Sequence, residues 1–594
     1  MCTDAHGRFN VEEFDMPTRL GALKQVDKFD AEFFSVHGKQ SDVLDPRLRN
    51  LLEVTYEAIV DAGVNPATIK GSNTGVFVAG SDSEAGFIWK RCNTKPNSYG
   101  VLGNALSMMS NRLSFTFGFT GPSYVVDTAC SGSTVAFQQA LHSIRTGLCD
   151  AAVVAGVQTH HDPISSYMFY HLEMTSKDGK SKVFDASADG YVRAEAAVSL
   201  YLCKKQHAKR SYCSIIHAAT NNDGYKEQGI TFPSEAQQEQ VIRRVYDECG
   251  ISPLQVDYIE AHGTGTKVGD PEEIAAVSKV FCEGRKGPLL VGSVKSNMGH
   301  PETVAGLCAI SKVLLSNTKG IIPANLHYNT PNPDIPSLHD GRIQVCDKTQ
   351  PFNATYVGVS SMGFGGTNVH VLLKMTPREE QPLWTPPTPI IILCSGRTQE
   401  AVQTFLEKAL VHHQNHHYVS LLHEISKHET LKHPFRGFVV VESEKQEIQV
   451  EQRDTNRSNW FIFTGLGSQW AGMSKDLVKY DVFRASVHRS AETLLKNTKF
   501  DILSLLECGD PTKFEDFKNS VVSITTIQIA LVDLLESIGI RPEAPRGISP
   551  IIKTSFLGKR AQNIPSICSR TSMHFWRATK SRKKLFSLPL ATCI

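Results

Sequence analysis

The chain reads as an α/β protein built on buried sheets, and three observations predict that class. Short, nearly continuous apolar runs recur at 74–79, 124–126, 151–157 and 196–202, rich in valine and alanine and too short for helices. Between them the apolar residues switch to a 3.6-residue period, as in 235–249. Strands alternating with helices in this way describe helix layers covering mostly parallel sheets. At 594 residues the chain exceeds what one core holds, so several domains are expected.

Taken in order, 1–50 holds Phe29-Asp30-Ala31-Glu32-Phe33-Phe34 and Leu44-Asp45-Pro46-Arg47, which read as loops and short helices. A helix follows, with Leu51, Leu52, Thr55, Ala58 and Ile59 on one face. The β-branched content of 74–79 makes a strand, and 104–111 reads as helical. Gly121-Pro122 turns the chain into the strand 124–126. Beyond Cys130, Ala136, Phe137, Ala140, Leu141 and Ile144 share a helix face, and Gly147 stands where that helix stops. Strands are expected again at 151–157, 196–202, 214–218, 256–260 and 369–373.

Pro377 to Pro389 is proline-rich and reads as a linker. A small α/β segment follows, with strands at 390–394 and 437–442 around a helix at 399–413. A strand at 459–464 runs into the turn Gly465-Leu466-Gly467, and 524–538 is a helix with Ile527, Leu531, Leu534 and Ile538 on its apolar face. The last stretch, 546–594, carries ten Lys or Arg and no acidic residue. It reads as a non-native, structureless tail, or as a basic arm for anionic partners. His412, His413, His416 and His417 fall at i, i+4 spacing on one expected helix, which suits two metal ligands, but no carboxylate or cysteine completes a site; a solvated face is expected.

Composition excludes several classes. A formal charge of +2 gives no general pull toward nucleic acid or membrane, and no apolar run is read as approaching the ~20 residues that span a bilayer. The N-terminus lacks the regions of a signal peptide. Fourteen cysteines without CxxC pairs indicate neither a disulfide scaffold nor a zinc module, and point to reduced thiols in the cytoplasm.

One of those thiols is singled out by its setting. In Asp127-Thr128-Ala129-Cys130-Ser131-Gly132-Ser133 the cysteine lies between a strand tip and a helix start, among small residues that let a substrate approach. The unpaired N–H groups and helix dipole there are expected to favour the thiolate. Two histidines share a second pattern, each after a strand and among glycines: Glu260-Ala261-His262-Gly263-Thr264-Gly265-Thr266 and Lys295-Ser296-Asn297-Met298-Gly299-His300. A glycine turn, Gly363-Phe364-Gly365-Gly366-Thr367-Asn368, enters the strand 369–373. It does not satisfy G-x-G-x-x-G and no helix follows, which speaks against dinucleotide binding and for backbone N–H donors beside a nucleophile.

These four segments, in this order, resemble the signatures of β-ketoacyl synthases. Leu51 to Asp61, Lys226 to Ser234 and Gly263 to Pro271 are similar to the animal-type multifunctional (type I) fatty acid synthases, over roughly residues 1–545. The resemblance implies a thiolase-like layered α/β sandwich over 1–374, lacking the family's first strand, then a linker domain over 375–458 and the start of a malonyl/acetyltransferase domain over 459–545. It implies decarboxylative condensation of acyl and malonyl thioesters: Cys130 accepts the acyl chain, His262 and His300 stabilise the enolate, and Lys295 orients the His300 region. Phe364 gates the pocket, with Cys130, Phe364 and Gly365 around the oxyanion, while Thr264, Thr266, Asn297 and Gly366 contact substrate. No cofactor is expected to bind directly and no metal is expected. Substrates arrive as phosphopantetheine thioesters on an acyl carrier protein domain, and the synthase domain is expected to form a homodimer.

The departures from the pattern are also informative. Gly132 and Thr134 stand for the commoner serine and leucine, and Ser360 and Met362 for asparagine and phenylalanine, which would alter pocket width. Gly465-Leu466-Gly467-Ser468-Gln469-Trp470 resembles the transferase's first glycine loop, with Gln469 at an oxyanion hole. The Gly-His-Ser-x-Gly elbow expected after Pro542 does not follow, so no transferase activity is expected of this segment. The resemblance implies roughly forty further residues before Met1, and without them a sheet edge is expected to be uncovered. Two alternatives stay open: an iterative polyketide synthase with the same chemistry, and a truncated, non-catalytic or acyl-binding product.

Overall fold

The strand-length apolar runs pair as their composition predicts. In the computed structural model, which describes residues 2–542 apart from 4–6, 11–12, 93–96, 379–388, 427–432, 442–445, 454–458 and 460, they form two main sheets. The proline-rich linker, for the most part, and the basic tail lie outside the described residues. Contacts divide the chain into two units, 1–452 and 453–594.

In the first unit Thr74–Ala79 is buried at every position and sits between Ser123–Val126 and Ala151–Gln158, parallel to both. Ala196–Cys203 closes that four-stranded sheet, antiparallel to Ala151–Gln158. The second sheet has six strands in the order Ile343–Val345, Leu289–Gly292, Tyr258–Glu260, Tyr356–Met362, Thr367–Met375, Cys213–Asn222. Its first four strands are parallel neighbours and its last two antiparallel.

Two helices fill the space between the sheets: Gly132–Arg145, which follows Cys130, and Ala305–Lys319, which follows His300. Val135, Phe137 and Ala140 of one, with Leu307, Ile310 and Val313 of the other, pack against Phe77 and Val154 on one side and Val357 and Val371 on the other. The helices touch closely enough that a Cβ at Gly306 would overlap the Thr134 hydroxyl. Pro46–Asp61 and Met108–Phe117 cover the outer face of the first sheet, and Glu235–Cys249 and Gly269–Phe281 that of the second. The result is a five-layered α-β-α-β-α sandwich, the thiolase-like class the sequence implies. The turns that hold Cys130 and His300 thereby lead into the two innermost helices.

A three-stranded antiparallel sheet, Ile390–Gly396, Phe435–Val441, Gln446–Gln452, follows, covered by Gln399–Val411 and His416–Ser426. The break between those helices corrects the expected single helix under the histidines. Asn415 starts a second helix, its side chain accepting from Tyr418 N at 3.0 Å, so the four rings do not share one helical face. The segment expected as one helix over 104–111 is likewise two, Gly100–Asn104 and Met108–Phe117.

In the second unit Asp481–Thr498, Ile502–Glu507 and Phe517–Ser537 pack around Phe483, Val487, Leu494, Ile527 and Ala530. The strand expected at 459–464 is not formed: no strand among the described residues of this unit offers a partner, and Ile462 and Phe463 are exposed. Among the described residues one helix, Phe517–Ser537, is long and apolar enough to cross a membrane by length and composition alone. Serine, threonine and glutamine interrupt its apolar run, which hides that length from a search for uninterrupted apolar sequence. It packs on Asp481–Thr498, and its Asp533 accepts from Ser486 at 2.6 Å.

Candidate active site

Cys130 is placed by a strained turn. Strand Ser123–Val126 ends, Asp127 accepts from Ala129 N at 3.0 Å, and Ala129 takes φ +52°, a left-handed conformation unusual for a residue with a Cβ. A single 3-10 turn, Ala129–Ser131, then leads into Gly132–Arg145. Ser361 Oγ donates to the Cys130 carbonyl at 3.0 Å, tying the cysteine's turn to the second sheet. The glycine turn arrives beside it, close enough that a Cβ at Gly363 would lie 2.7 Å from the Thr128 carbonyl oxygen. The backbone N–H groups of Phe364 and of Cys130 itself are directed at the sulfur.

The expected resting thiolate is corrected here. Cys130 is 8% exposed, and burial pushes its thiol up to about 12, with the Glu302 carboxylate adding to the effect. Lys295 and the two N–H groups oppose this and are outweighed. A helix start favours a thiolate, but at Cys130 burial outweighs it.

His262 leaves the end of strand Tyr258–Glu260. Its N–H and that of Gly263 donate to the two oxygens of Glu273 at 2.7 and 2.8 Å, and Lys295 Nζ donates to its carbonyl. His300 follows the short helix Lys295–Met298, and its backbone is strapped on both sides: its N–H donates to Val192 O at 2.7 Å, and its carbonyl accepts from Ala194 N at 2.9 Å. The two imidazoles stand edge to face with centroids 5.5 Å apart, and Tyr191 meets His300 edge-on at 4.8 Å.

Burial, then Lys295, holds both histidines well below their usual value, so each is neutral and keeps one N–H. Their Nδ1 atoms are buried without a hydrogen-bond partner among the described residues. Lys295 is 1% exposed, lowered by burial and held up by Glu273, Glu260 and Cys130. The sequence-predicted quartet of Cys130, His262, Lys295 and His300 is thus brought together by three separate elements.

The remaining predicted residues divide. Phe364 is 43% exposed, its ring edge-on to Phe169 at 6.3 Å, and Gly365 is exposed beside it. The Thr264 and Thr266 hydroxyls lie 3.2 Å apart, and Thr266 also accepts from Gly269 N at 3.2 Å. Asn297 spends its amide N–H on the Ala324 carbonyl at 2.9 Å. Gly366 takes φ +94° under Asp223, whose N–H donates to the Gly366 carbonyl at 2.9 Å. Asn297 and Gly366 therefore shape the loops that carry the site.

Sequence reasoning missed four residues beside the quartet: Glu273, Arg193, Glu302 and Phe169. Arg193 pairs with Glu302 at 2.6 Å across 109 residues, and its guanidinium lies over the Phe169 ring at 5.3 Å. The local signals available were an acidic residue two places after His300 and an arginine two after Gly190-Tyr191.

In the second unit Gln469 Oε1 accepts from Gly467 N at 2.8 Å and Nε2 donates to Phe514 O at 3.3 Å, so both ends of that amide are engaged.

Comparison with known families places this geometry. Residues 8–208 match the β-ketoacyl synthase N-terminal domain, 212–329 its C-terminal domain, 331–440 the ketoacyl-synthetase C-terminal extension and 460–549 an acyl transferase domain. A fatty acid synthase from Anser anser anser is 49% identical over 321 residues, 54% of this chain and 91% of that sequence. A phenolphthiocerol/phthiocerol polyketide synthase from Mycobacterium tuberculosis (strain CDC 1551 / Oshkosh) is 34% identical over 576 residues. That match takes in 90% of this chain and 30% of the polyketide synthase, so the chain spans under a third of that relative's length.

Among solved structures, the ketosynthase from module 6 of the bacillaene synthase of Bacillus subtilis 168 superimposes with a TM-score of 0.64 at 26% identity, covering 85% of this chain and 90% of its own. The oxazolomycin ketosynthase domain OzmH KS7 of Streptomyces albus JA3453 gives 0.66 at 25% identity, over 77% and 86%. With its motifs, layers and relatives in agreement, the chain belongs to the β-ketoacyl synthase family.

Proposed function

We propose that this chain condenses an acyl group held on Cys130 with a malonyl thioester to give a 3-oxoacyl thioester, the elongation step of fatty acid synthesis. The observation that carries the reading is the convergence of buried Cys130, two N–H groups directed at its sulfur, buried Lys295, and two neutral imidazoles set edge to face.

In the first half-reaction Cys130 Sγ bonds to the carbonyl carbon of an acyl thioester, and the oxygen takes its negative charge between the N–H groups of Cys130 and Phe364. The carrier sulfur leaves and receives the proton given up by Cys130, so one thiol and one thioester exchange places. This suits a nucleophile held as a thiol, because no free thiolate is needed before substrate enters. Phe364, half-exposed, gates entry.

In the second half-reaction the malonyl carboxylate leaves as carbon dioxide and its electron pair becomes an enolate. His262 and His300, each with one N–H, donate to that oxygen. Lys295 fixes the His262 carbonyl and supplies positive charge beneath the pair. The enolate carbon then bonds to the acyl carbon as the thioester C–S bond breaks, and the departing Cys130 sulfur takes up a proton from solvent. The acyl and malonyl groups come as phosphopantetheine thioesters on a carrier protein domain. A cytoplasmic homodimer formed through the synthase domain completes the reading.

The 49% identity to the Anser anser anser fatty acid synthase supports fatty acid over polyketide elongation, against 34% for the polyketide synthase. The test is to supply the purified chain with acyl and malonyl pantetheine thioesters and measure carbon dioxide release and 3-oxoacyl product. Saturated acyl donors preferred over 3-hydroxyacyl donors support the fatty acid reading. The reverse preference favours polyketide assembly, and no product from any donor removes the condensing function.

A further inference from the structure

Glu302 stands two residues after His300 and opens the 3-10 turn Glu302–Val304. Its φ is +42°, in the left-handed region that a residue with a Cβ rarely adopts, so the turn must be held from outside. Arg193 holds it: Nε lies 2.6 Å from one carboxylate oxygen and a terminal nitrogen 3.1 Å from the other, while Gln158 Nε2 adds a bond at 3.3 Å. Such a fork fixes both position and direction of the carboxylate.

Arg193 is itself fixed. It donates to Ser166 Oγ at 2.7 Å, lies 3.7 Å from Glu84, and is covered by the Phe169 ring. The chain on either side of Arg193 pairs with His300, so this short stretch grips the main chain of the second histidine and the side chain of Glu302 together. On its other side the Glu302–Val304 turn packs against Ala129–Ser131, the turn that carries the nucleophile. The groups acting on Cys130 are Glu302 and Lys295, with Tyr191 and the two histidines around them; those acting on Glu302 are Arg193, His160 and Glu84.

We propose that Glu302, clamped by Arg193, is a positioning residue that keeps Cys130 in its thiol form between turnovers and seats His300 for condensation. The inference rests on the condensing function proposed above. A fixed negative charge on the turn packed against the Cys130 turn resists loss of the thiol proton, which protects the unacylated cysteine from alkylation and oxidation. Acylation turns the sulfur into a neutral thioester and removes that opposition.

The test uses the full chain and reads the rate at which iodoacetamide alkylates Cys130, by peptide mass, between pH 7 and 9, beside separate acylation and condensation rates. Glu302→Gln removes the charge at constant shape. A fall of about one pH unit in the thiol's titration gives about tenfold more thiolate, of which about threefold survives as rate because a less basic sulfur is a weaker nucleophile. Alkylation about threefold faster at every pH is therefore expected. An unchanged or slower rate overturns the charge role.

Glu302→Asp keeps the charge and withdraws it from Arg193. Alkylation and acylation near wild type with condensation about tenfold slower is expected, and condensation at the wild-type rate overturns the seating role. If Glu302→Gln does not fold, the paired variant Glu302→Gln/Arg193→Gln, which removes both members of the ion pair, carries the same alkylation prediction. Faster alkylation in a protein whose wild type makes no acyl adduct would sink the condensing function while leaving the charge effect standing.

Discussion

Replacing Glu273 by glutamine should change how stability depends on pH, and the structure gives the size and sign. The Glu273 carboxyl is buried beneath the His262 loop and pushed up from 4.5 to about 7, burial being the largest cause. A carboxyl whose folded-state value lies above its unfolded one is at its most stabilising when protonated. That contribution is fully present below pH 4.5 and is lost as pH rises toward 7. The difference corresponds to about 3 kcal/mol between pH 4 and 8.

Glutamine does not titrate, so this dependence vanishes. In exchange its amide accepts one of the N–H bonds from His262 and Gly263 and orphans the other, a cost of about 1–3 kcal/mol at all pH values. The variant should therefore be less stable than wild type at pH 5, and the gap should close or reverse by pH 8. Urea unfolding at both pH values, followed by a probe in the synthase region, measures it. A gap that stays constant or widens with pH would refute the reasoning, because Glu273 would then be an ordinary ionised carboxylate.

Three further outcomes follow from the same geometry. Lys312 donates to both Tyr258 Oη and the Glu260 carboxylate in the core, so Lys312→Met should cost about 3–5 kcal/mol by leaving that carboxylate buried and unpaired. The unfolding midpoint reports this, and Lys312→Met/Glu260→Gln should recover most of it. Because both site histidines lie well below their usual value, condensation rates between pH 6 and 8 should show no limb from imidazole titration; a midpoint near 6.5 that disappears in a His300 variant would contradict their neutral role. Gly363→Ala should reduce acylation of Cys130 by at least about tenfold, since its Cβ would collide with the Thr128 carbonyl and displace the Phe364 N–H. Acylation kinetics measure it directly, and a wild-type rate would show that this N–H is not needed.

What was legible in the sequence was whatever leaves a local mark. Apolar runs such as 74–79 and 151–157 are buried strands because the sheets lie between helix layers, and a strand buried on both faces has no polar alternation to confuse the reading. Cys130, His262, Lys295 and His300 were legible because each sits at an element end marked by small residues or glycine. The pairing of Arg193 with Glu302 was not, since it joins residues 109 apart and depends on how the layers stack.

The protonation of Cys130 escapes the sequence for a related reason. A helix start is visible in sequence, but its burial and the Glu302 charge are supplied by tertiary packing. The strand expected at 459–464 fails because a strand is stabilised by its neighbours, and none lies beside it among the described residues. Local propensity cannot supply a partner.

The central claim is that Cys130 carries an acyl group to a malonyl-derived enolate. Intact-mass spectrometry of the chain after an acyl pantetheine thioester, and again after malonyl pantetheine thioester, tests it in one sample. The expected result is a single acyl adduct on wild type, absent from Cys130→Ala, that disappears on malonyl addition as 3-oxoacyl product forms. An adduct that persists in Cys130→Ala, or none on a wild-type protein that unfolds cooperatively, would contradict the account.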